Sequence, residues 1–214
     1  MKNVDDLIES AADLADRGLS RGEIADELNV SRETAAWLVE RAGTGAPAAT
    51  ETEETESGGP RDVHVDWSTI GEAGARLSAI GAAMADLLRE HSKEPDVVIG
   101  IEKAGVPIAT TVARELETDL STYTPRKHQW EEGDIEELGG SFSRNFAQIE
   151  GQRCFIVDDT ITSGTTISEA VSAVKEAGGE PLACAVLADK QGLSEVDDVP
   201  LESLLQVIRV GNAE

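Results

Sequence analysis

Apolar residues in this chain follow two different periods, and the change of period divides it. Between residues 4 and 17, Val4, Leu7, Ile8, Ala11, Leu14 and Ala15 recur three and four apart, which places them on one face of a helix. Gly18 closes that helix. Ser20-Arg21-Gly22-Glu23 then reads as a capping box, in which the Ser20 side chain and Glu23 each satisfy a backbone donor left over at the start of a second helix. This helix stops near Asn29, a residue that tolerates a left-handed turn, and Ser31 caps a third helix running to about Ala42. Ile24, Leu28, Val30, Ala35 and Leu38 form the shared core, with Ala25 small where the helices must approach. Ser31, Arg32, Glu33, Ala36 and Trp37 fall on the remaining face. From residue 43 to 62 periodicity is lost and Gly, Pro, Thr and Glu dominate, the composition of a flexible, self-repelling linker. The expected organisation is a helical unit over 1–43, an acidic linker over 44–62 and a second domain over 63–214.

In that second domain, long helical patterns alternate with short apolar runs. Ser68 to His91 reads as one long helix, and Val97-Val98-Ile99-Gly100-Ile101 as a buried strand. Glu102-Lys103-Ala104-Gly105 leads into a helix from about Val106, with Pro107 suited to its first turn. Further strands are expected at Leu120 to Tyr123, Cys154 to Val157, Leu182 to Leu187 and Leu205 to Val210. The Cys154 strand is followed by a helix from about Thr166 that ends before Gly178-Gly179. Such alternation predicts an α/β fold: a mostly parallel sheet with helices on both faces and ligands at the strand C-termini.

Charge changes the picture of the environment more than of the fold. There are 42 acidic residues against 18 Lys plus Arg, a net charge of −24 spread along the whole chain, which resembles the surface acidity of proteins from extreme halophiles. At molar salt the Debye length is about 3 Å, so this charge does not exclude DNA as a partner. No apolar run approaches the roughly 18 residues of a membrane span, and the N-terminus is unlike a signal peptide, so a cytoplasmic protein without a membrane partner is expected. Cys154 and Cys184 fall in predicted buried strands without metal-ligand spacing and read as small core residues in a reducing compartment.

The chemistry concentrates in Cys154 to Thr166, Cys-Phe-Ile-Val-Asp-Asp-Thr-Ile-Thr-Ser-Gly-Thr-Thr. A strand delivers two adjacent carboxylates, Asp158 and Asp159, to a loop of Thr160, Thr162, Ser163, Gly164, Thr165 and Thr166 at the start of a helix. Unpaired N–H groups and the positive end of the helix dipole suit a phosphate there, and Gly164 lets the backbone come close. The two acids are placed to accept hydrogen bonds from vicinal sugar hydroxyls. An ordinary strand-to-helix connection with a Thr-rich cap is the plainer reading of the same residues.

This stretch resembles the phosphoribosyl-diphosphate motif of the type I phosphoribosyltransferases. The resemblance implies that Lys103 and Gly105 lie in a loop contacting diphosphate. Among these enzymes the chain is most similar to orotate phosphoribosyltransferase: Tyr123-Thr124-Pro125-Arg126-Lys127-His128 resembles the entrance to its mobile loop, and Ala188-Asp189-Lys190-Gln191-Gly192 its base-side segment. Two departures bear on activity. After Lys127 the chain continues Gln129-Trp130-Glu131-Glu132-Gly133-Asp134-Ile135-Glu136-Glu137, a poor lid for an anionic leaving group, and Lys190 stands where the family has Arg. No cofactor is required, although a diphosphate ligand would bring a divalent cation with it.

Residues 21 to 40 resemble a helix-turn-helix. The resemblance implies that Arg32 reads a guanine edge, that Ser31 and Arg21 contact backbone phosphates, and that Glu33, Ala36 and Trp37 share the exposed face. A helical cap or dimerisation element fits the same pattern. Taken together, the whole chain is similar to a family of archaeal regulators of sugar catabolism. That implies a homodimer binding promoter DNA and a small phosphorylated sugar or phosphoribosyl metabolite; the competing expectation is an active nucleobase phosphoribosyltransferase with an accessory helical domain.

Overall fold

The computed structural model describes residues 4–17, 19, 21–43, 63–92, 94–125 and 140–208. The chain falls into two compact units, residues 1–66 and 67–214. In the first, α1 (Val4–Asp16), α2 (Arg21–Glu27) and α3 (Arg32–Gly43) enclose a core of Ala11, Leu14, Ile24, Ala25, Leu28, Val30, Ala35 and Leu38. Asn29 is left-handed (φ 53°), and the Val30 and Asn29 N–H groups donate back to the carbonyls of Ala25 (2.8 Å) and Asp26 (3.2 Å). This paired closure satisfies the last carbonyls of α2 and turns the chain toward α3. Ser31 Oγ accepts the Thr34 N–H at 3.1 Å and so caps α3.

Two expectations for this unit are corrected. Val4, assigned to the buried stripe, is 54% exposed, because it opens α1 ahead of the core contacts that begin at Leu7. Trp37, assigned to the outward face, packs partly against the core, and the Arg41 guanidinium lies 5.3 Å from its ring centroid. Ser20, Gly18 and the linker residues 44–62 lie outside the described residues.

The second unit contains α4 (Ser68–Gly71), α5 (Gly74–Arg89), β1 (Val97–Ile101), α6 (Gly105–Leu116), β2 (Asp119–Thr124), β3 (Ser141–Phe142), β4 (Arg153–Ile161), α7 (Thr165–Glu176), β5 (Glu180–Asp189), β6 (Glu195–Val196) and β7 (Val199–Gln206). The strands form one sheet in the order β3-β2-β1-β4-β5-β7-β6, parallel except at the two short edge strands. Strand side chains alternate between faces, and each face has its own core. Val97, Ile99, Ile101, Cys154, Ile156, Cys184 and Val186 meet Ile167, Ala170, Val171 and Val174 of α7. Val98, Phe155, Val157, Ala183, Ala185 and Leu187 meet Met84, Ala85 and Leu88 of α5 and Ile108, Ala109 and Val112 of α6. Burial pushes the thiols of Cys154 and Cys184 up to about 12, so both stay protonated at neutral pH, as inert core residues do.

The single helix expected over 68–91 is broken. Ala73 is extended (φ −132°, ψ 117°), and two glycines, each costing about 1 kcal/mol in a helix interior, flank the break at Gly71 and Gly74. The last strand lies at Val199–Gln206 instead of 205–210, because its partner β5 ends at Asp189, opposite Gln206. Leu205 and Ile208 are consequently exposed. The two-residue strands β3 and β6 are too short for periodicity to announce. The β6–β7 hairpin turns through left-handed Asp197 and Asp198. Among the described residues no helix is long and apolar enough to cross a membrane.

Candidate sugar-phosphate site

Chain direction across the sheet reverses between β1 and β4. From β1 the chain moves outward to β2 on one side, then returns to place β4 on the other. At such a switch point the loops after the two strands diverge and leave a crevice at their carboxyl ends. The two loops concerned are Glu102–Gly105 after β1 and Thr162–Gly164 after β4, so the two segments read as phosphate-contacting are brought to one crevice.

The acids do not stand at the end of β4, as expected, but inside it. β1 pairs with β4 only as far as Gly100 opposite Val157, whereas β5 follows β4 on to Ile161 opposite Asp189. Asp158 and Asp159 are therefore carried by a strand still held on one side. Asp158 is not a surface acid: it is 9% exposed, and its Oδ1 accepts the Asp159 N–H at 2.8 Å. A Cβ on Gly105 would lie 2.6 Å from the Val157 carbonyl oxygen and 3.0 Å from Asp158 Oδ1. Gly105 is thus required by the seating of α6 against β4, a reason independent of any ligand. That seating puts a buried carboxylate at the N-terminus of α6, where the helix dipole favours it.

Beyond Ile161, Gly164 adopts the left-handed conformation (φ 79°) and caps α7, with the Ser168 N–H donating to its carbonyl at 2.9 Å. Ser163 Oγ and Thr165 Oγ1 are 3.0 Å apart. Thr160, Thr162 and Thr166 complete the hydroxyl-lined segment, and the first-turn N–H groups of α7 are directed at it, as at any helix start. The Lys190 N–H donates to the Ile161 carbonyl at 3.1 Å, which draws the 189–193 segment up to the loop. Lys190 is buried, and Lys103 is exposed on the opposite loop. Arg126 and Lys127 lie outside the described residues. Arg21 and Arg32, the exposed first residues of α2 and α3, belong with Ser31, Glu33, Ala36 and Trp37 to the helical unit.

Three residues around the crevice had no role in the sequence reading. Asp189 is 1% exposed and accepts the N–H groups of Gln191 (2.7 Å), Gly192 (3.0 Å) and Leu193 (2.8 Å), folding the segment that carries Lys190. Its signal was present: an acid three residues before a glycine is a common turn former. Glu102 is held by the hydroxyls of Thr122 (3.3 Å) and Thr124 (2.8 Å) on β2, a pairing between strands that no local pattern announces. Trp67 donates its indole N–H to Asp159 Oδ2 at 2.9 Å across 92 residues of sequence.

The phosphoribosyl transferase domain model matches residues 66–211. The transcriptional regulator GfcR of Halobacterium salinarum is 73% identical over 215 aligned residues, covering 100% of both chains. GfcR of Methanocella arvoryzae is 43% identical, covering 98% of this chain and 100% of that one. Among solved structures, adenine phosphoribosyltransferase from Thermoanaerobacter pseudethanolicus superposes with a TM-score of 0.55 at 19% identity, covering 69% of this chain and 89% of that one. Orotate phosphoribosyltransferase from Mycobacterium tuberculosis, in complex with 5-phospho-α-D-ribosyl 1-diphosphate, gives 0.52 at 23% identity, covering 67% and 80%. The superpositions establish the fold, and the full-length identities establish kinship: the chain belongs to the GfcR family of transcriptional regulators, built on a phosphoribosyl transferase domain.

Proposed function

We propose that this chain is a DNA-binding transcriptional regulator of central sugar catabolism, whose α/β unit senses a phosphorylated sugar or phosphoribosyl metabolite. The observation that carries the reading is the full-length match to regulators combined with the crevice, where a strand-borne acid pair meets a left-handed glycine at a helix N-terminus. The helical unit is the DNA reader. Its α2–α3 corner supports that role, with Arg32 exposed at the start of α3 and Arg21 exposed at the start of α2. Two readers are needed because one small helix makes few phosphate contacts, so the working form is a homodimer. Its target is an inverted repeat with half-sites about 10 base pairs apart or a multiple of that.

Arg32→Ala is expected to weaken operator binding by roughly 1–3 kcal/mol and relax selectivity at one position per half-site, whereas Arg21→Ala weakens all sequences alike. Binding measured against single-base operator variants in molar KCl checks both. Equal losses from the two substitutions at every operator would remove Arg32 from base reading. The protein works in the cytoplasm at high salt, where its acidic surface is screened.

Transferase turnover is expected to be negligible. The acidic run after Lys127 offers no cations to a departing diphosphate, and Lys190 lacks the bidentate geometry of Arg. A diphosphate-bearing effector would carry a divalent cation, for which Asp158 and Asp159 offer oxygen ligands. Diphosphate release from phosphoribosyl diphosphate, followed with each free base, tests the assignment; a rate on the order of 1 per second or faster would make the protein an enzyme.

A further inference from the structure

We propose that Trp67 is a positioning residue for the sugar site: its indole N–H fixes the Asp159 carboxylate through one oxygen, so that the other is presented to a ligand hydroxyl. The inference rests on the sensor reading and adds to it the device that orients one of its acids. Asp159 Oδ2 accepts from Trp67 Nε1 at 2.9 Å and faces Thr160 Oγ1 at 3.4 Å. Both protein donors thus converge on one oxygen, and among the described residues Oδ1 has no protein donor. An ionised carboxylate accepts through both oxygens, so Oδ1 keeps its capacity for a ligand. A sugar hydroxyl and the indole use different oxygens and do not compete.

The indole holds the acid, and not the reverse, because the ring has a seat of its own. Side chains alternate along β4, which puts Asp159 on the same face as Phe155 and Val157, the face whose core α5 and α6 cover. The Trp67 ring packs partly against that core, and one edge lies 3.0 Å from where a Cβ on Gly71 would sit. The Ile70 and Gly71 N–H groups donate to the Trp67 carbonyl at 2.8 and 3.2 Å, so ring and backbone are both anchored at the α4 turn. Asp159 has less to hold it: its side chain is partly exposed and lies beyond Val157, where β1 stops pairing with β4. Released from the indole, the carboxylate would turn about its side-chain bonds, and a ligand would have to impose the productive orientation at a cost in affinity. A phosphate at the α7 N-terminus does not use Asp159, so the indole's contribution is confined to the sugar.

Trp67→Phe keeps an aromatic ring in the seat while deleting the N–H. Calorimetry in molar KCl, with ribose 5-phosphate and inorganic phosphate as separate probes, compares the wild type, Trp67→Phe, Asp159→Ala and the double variant. Trp67→Phe should bind ribose 5-phosphate roughly three- to tenfold more weakly, the effect of one lost orienting hydrogen bond. Its affinity for inorganic phosphate should stay within about twofold of wild type, and in the Asp159→Ala background the same substitution should change ribose 5-phosphate affinity by less than about twofold, since no carboxylate is left to orient. Wild-type affinity for ribose 5-phosphate in Trp67→Phe overturns the positioning role while leaving the sensor intact. So does a loss shared equally by inorganic phosphate, or one that persists undiminished without Asp159, either of which marks the tryptophan as packing only. Absence of ribose 5-phosphate binding by the wild type overturns the sensor reading, and the positioning role with it.

Discussion

Replacing Asp158 and Asp159 together by asparagine is expected to lower sugar-phosphate affinity by about 10²- to 10⁴-fold. In the proposed sensor each acid would supply charge-assisted hydrogen bonds to sugar hydroxyls, worth roughly 1.5–3 kcal/mol apiece, and each 1.4 kcal/mol is a factor of about ten. The two positions differ in what else is lost. Asp159 is partly exposed and bonded to Trp67, so its amide replacement leaves the packing unchanged. Asp158 is buried against the start of α6, where its charge contributes about 0.3–1 kcal/mol through the helix dipole, so the double variant should also melt slightly lower. Asparagine keeps the side-chain shape and an acceptor for the Asp159 N–H, which preserves the fold. Calorimetry with phosphoribosyl diphosphate, alongside a thermal melt, separates the two effects. Affinity equal to wild type in a folded double variant would place the ligand elsewhere.

Protein beginning at Arg61 should lose specific operator binding by at least about 100-fold while retaining sugar-phosphate affinity. The proposed readers, Arg21 and Arg32, are in the unit that is removed, and the α/β unit carries both of its cores within residues 67–214. What remains is net acidic, which disfavours non-specific attraction to the phosphate backbone. The full-length protein itself should bind at molar KCl with weak or even inverse salt dependence, because so few cations are released when it docks. Operator binding by the shortened protein at wild-type affinity would return the first unit to the status of a helical cap.

The local signals in the sequence translated well wherever a short-range rule governs. The stripe through Ala11 and Leu14, the left-handed Asn29, the Ser31 cap, the run Val97–Ile101 and the Gly178-Gly179 stop are each decided by neighbours within five residues, and each is found in the structure. The acid pair and Gly164 were legible for the same reason, being consecutive in one strand and loop. Misreadings came where the deciding partner is remote. Helix 68–91 breaks between two glycines where the Trp67 ring packs on Gly71, and the last strand starts and stops where β5 allows. β4 runs past Val157 because β5 continues to pair with it, which moves the acids from a surface end into a held strand.

Sequence alone thus determined most element types, the parallel α/β class and the hydroxyl-rich character of the loop after β4, because period, capping and glycine freedom act over one or two turns. Tertiary structure alone decided that Gly105 is demanded by Asp158, that Glu102 is tied to Thr122 and Thr124, and that Trp67 holds Asp159. Strand order sets these contacts: the reversal between β1 and β4 gathers loops that are distant in sequence, and hydrogen bonds across tens of residues leave no period to read.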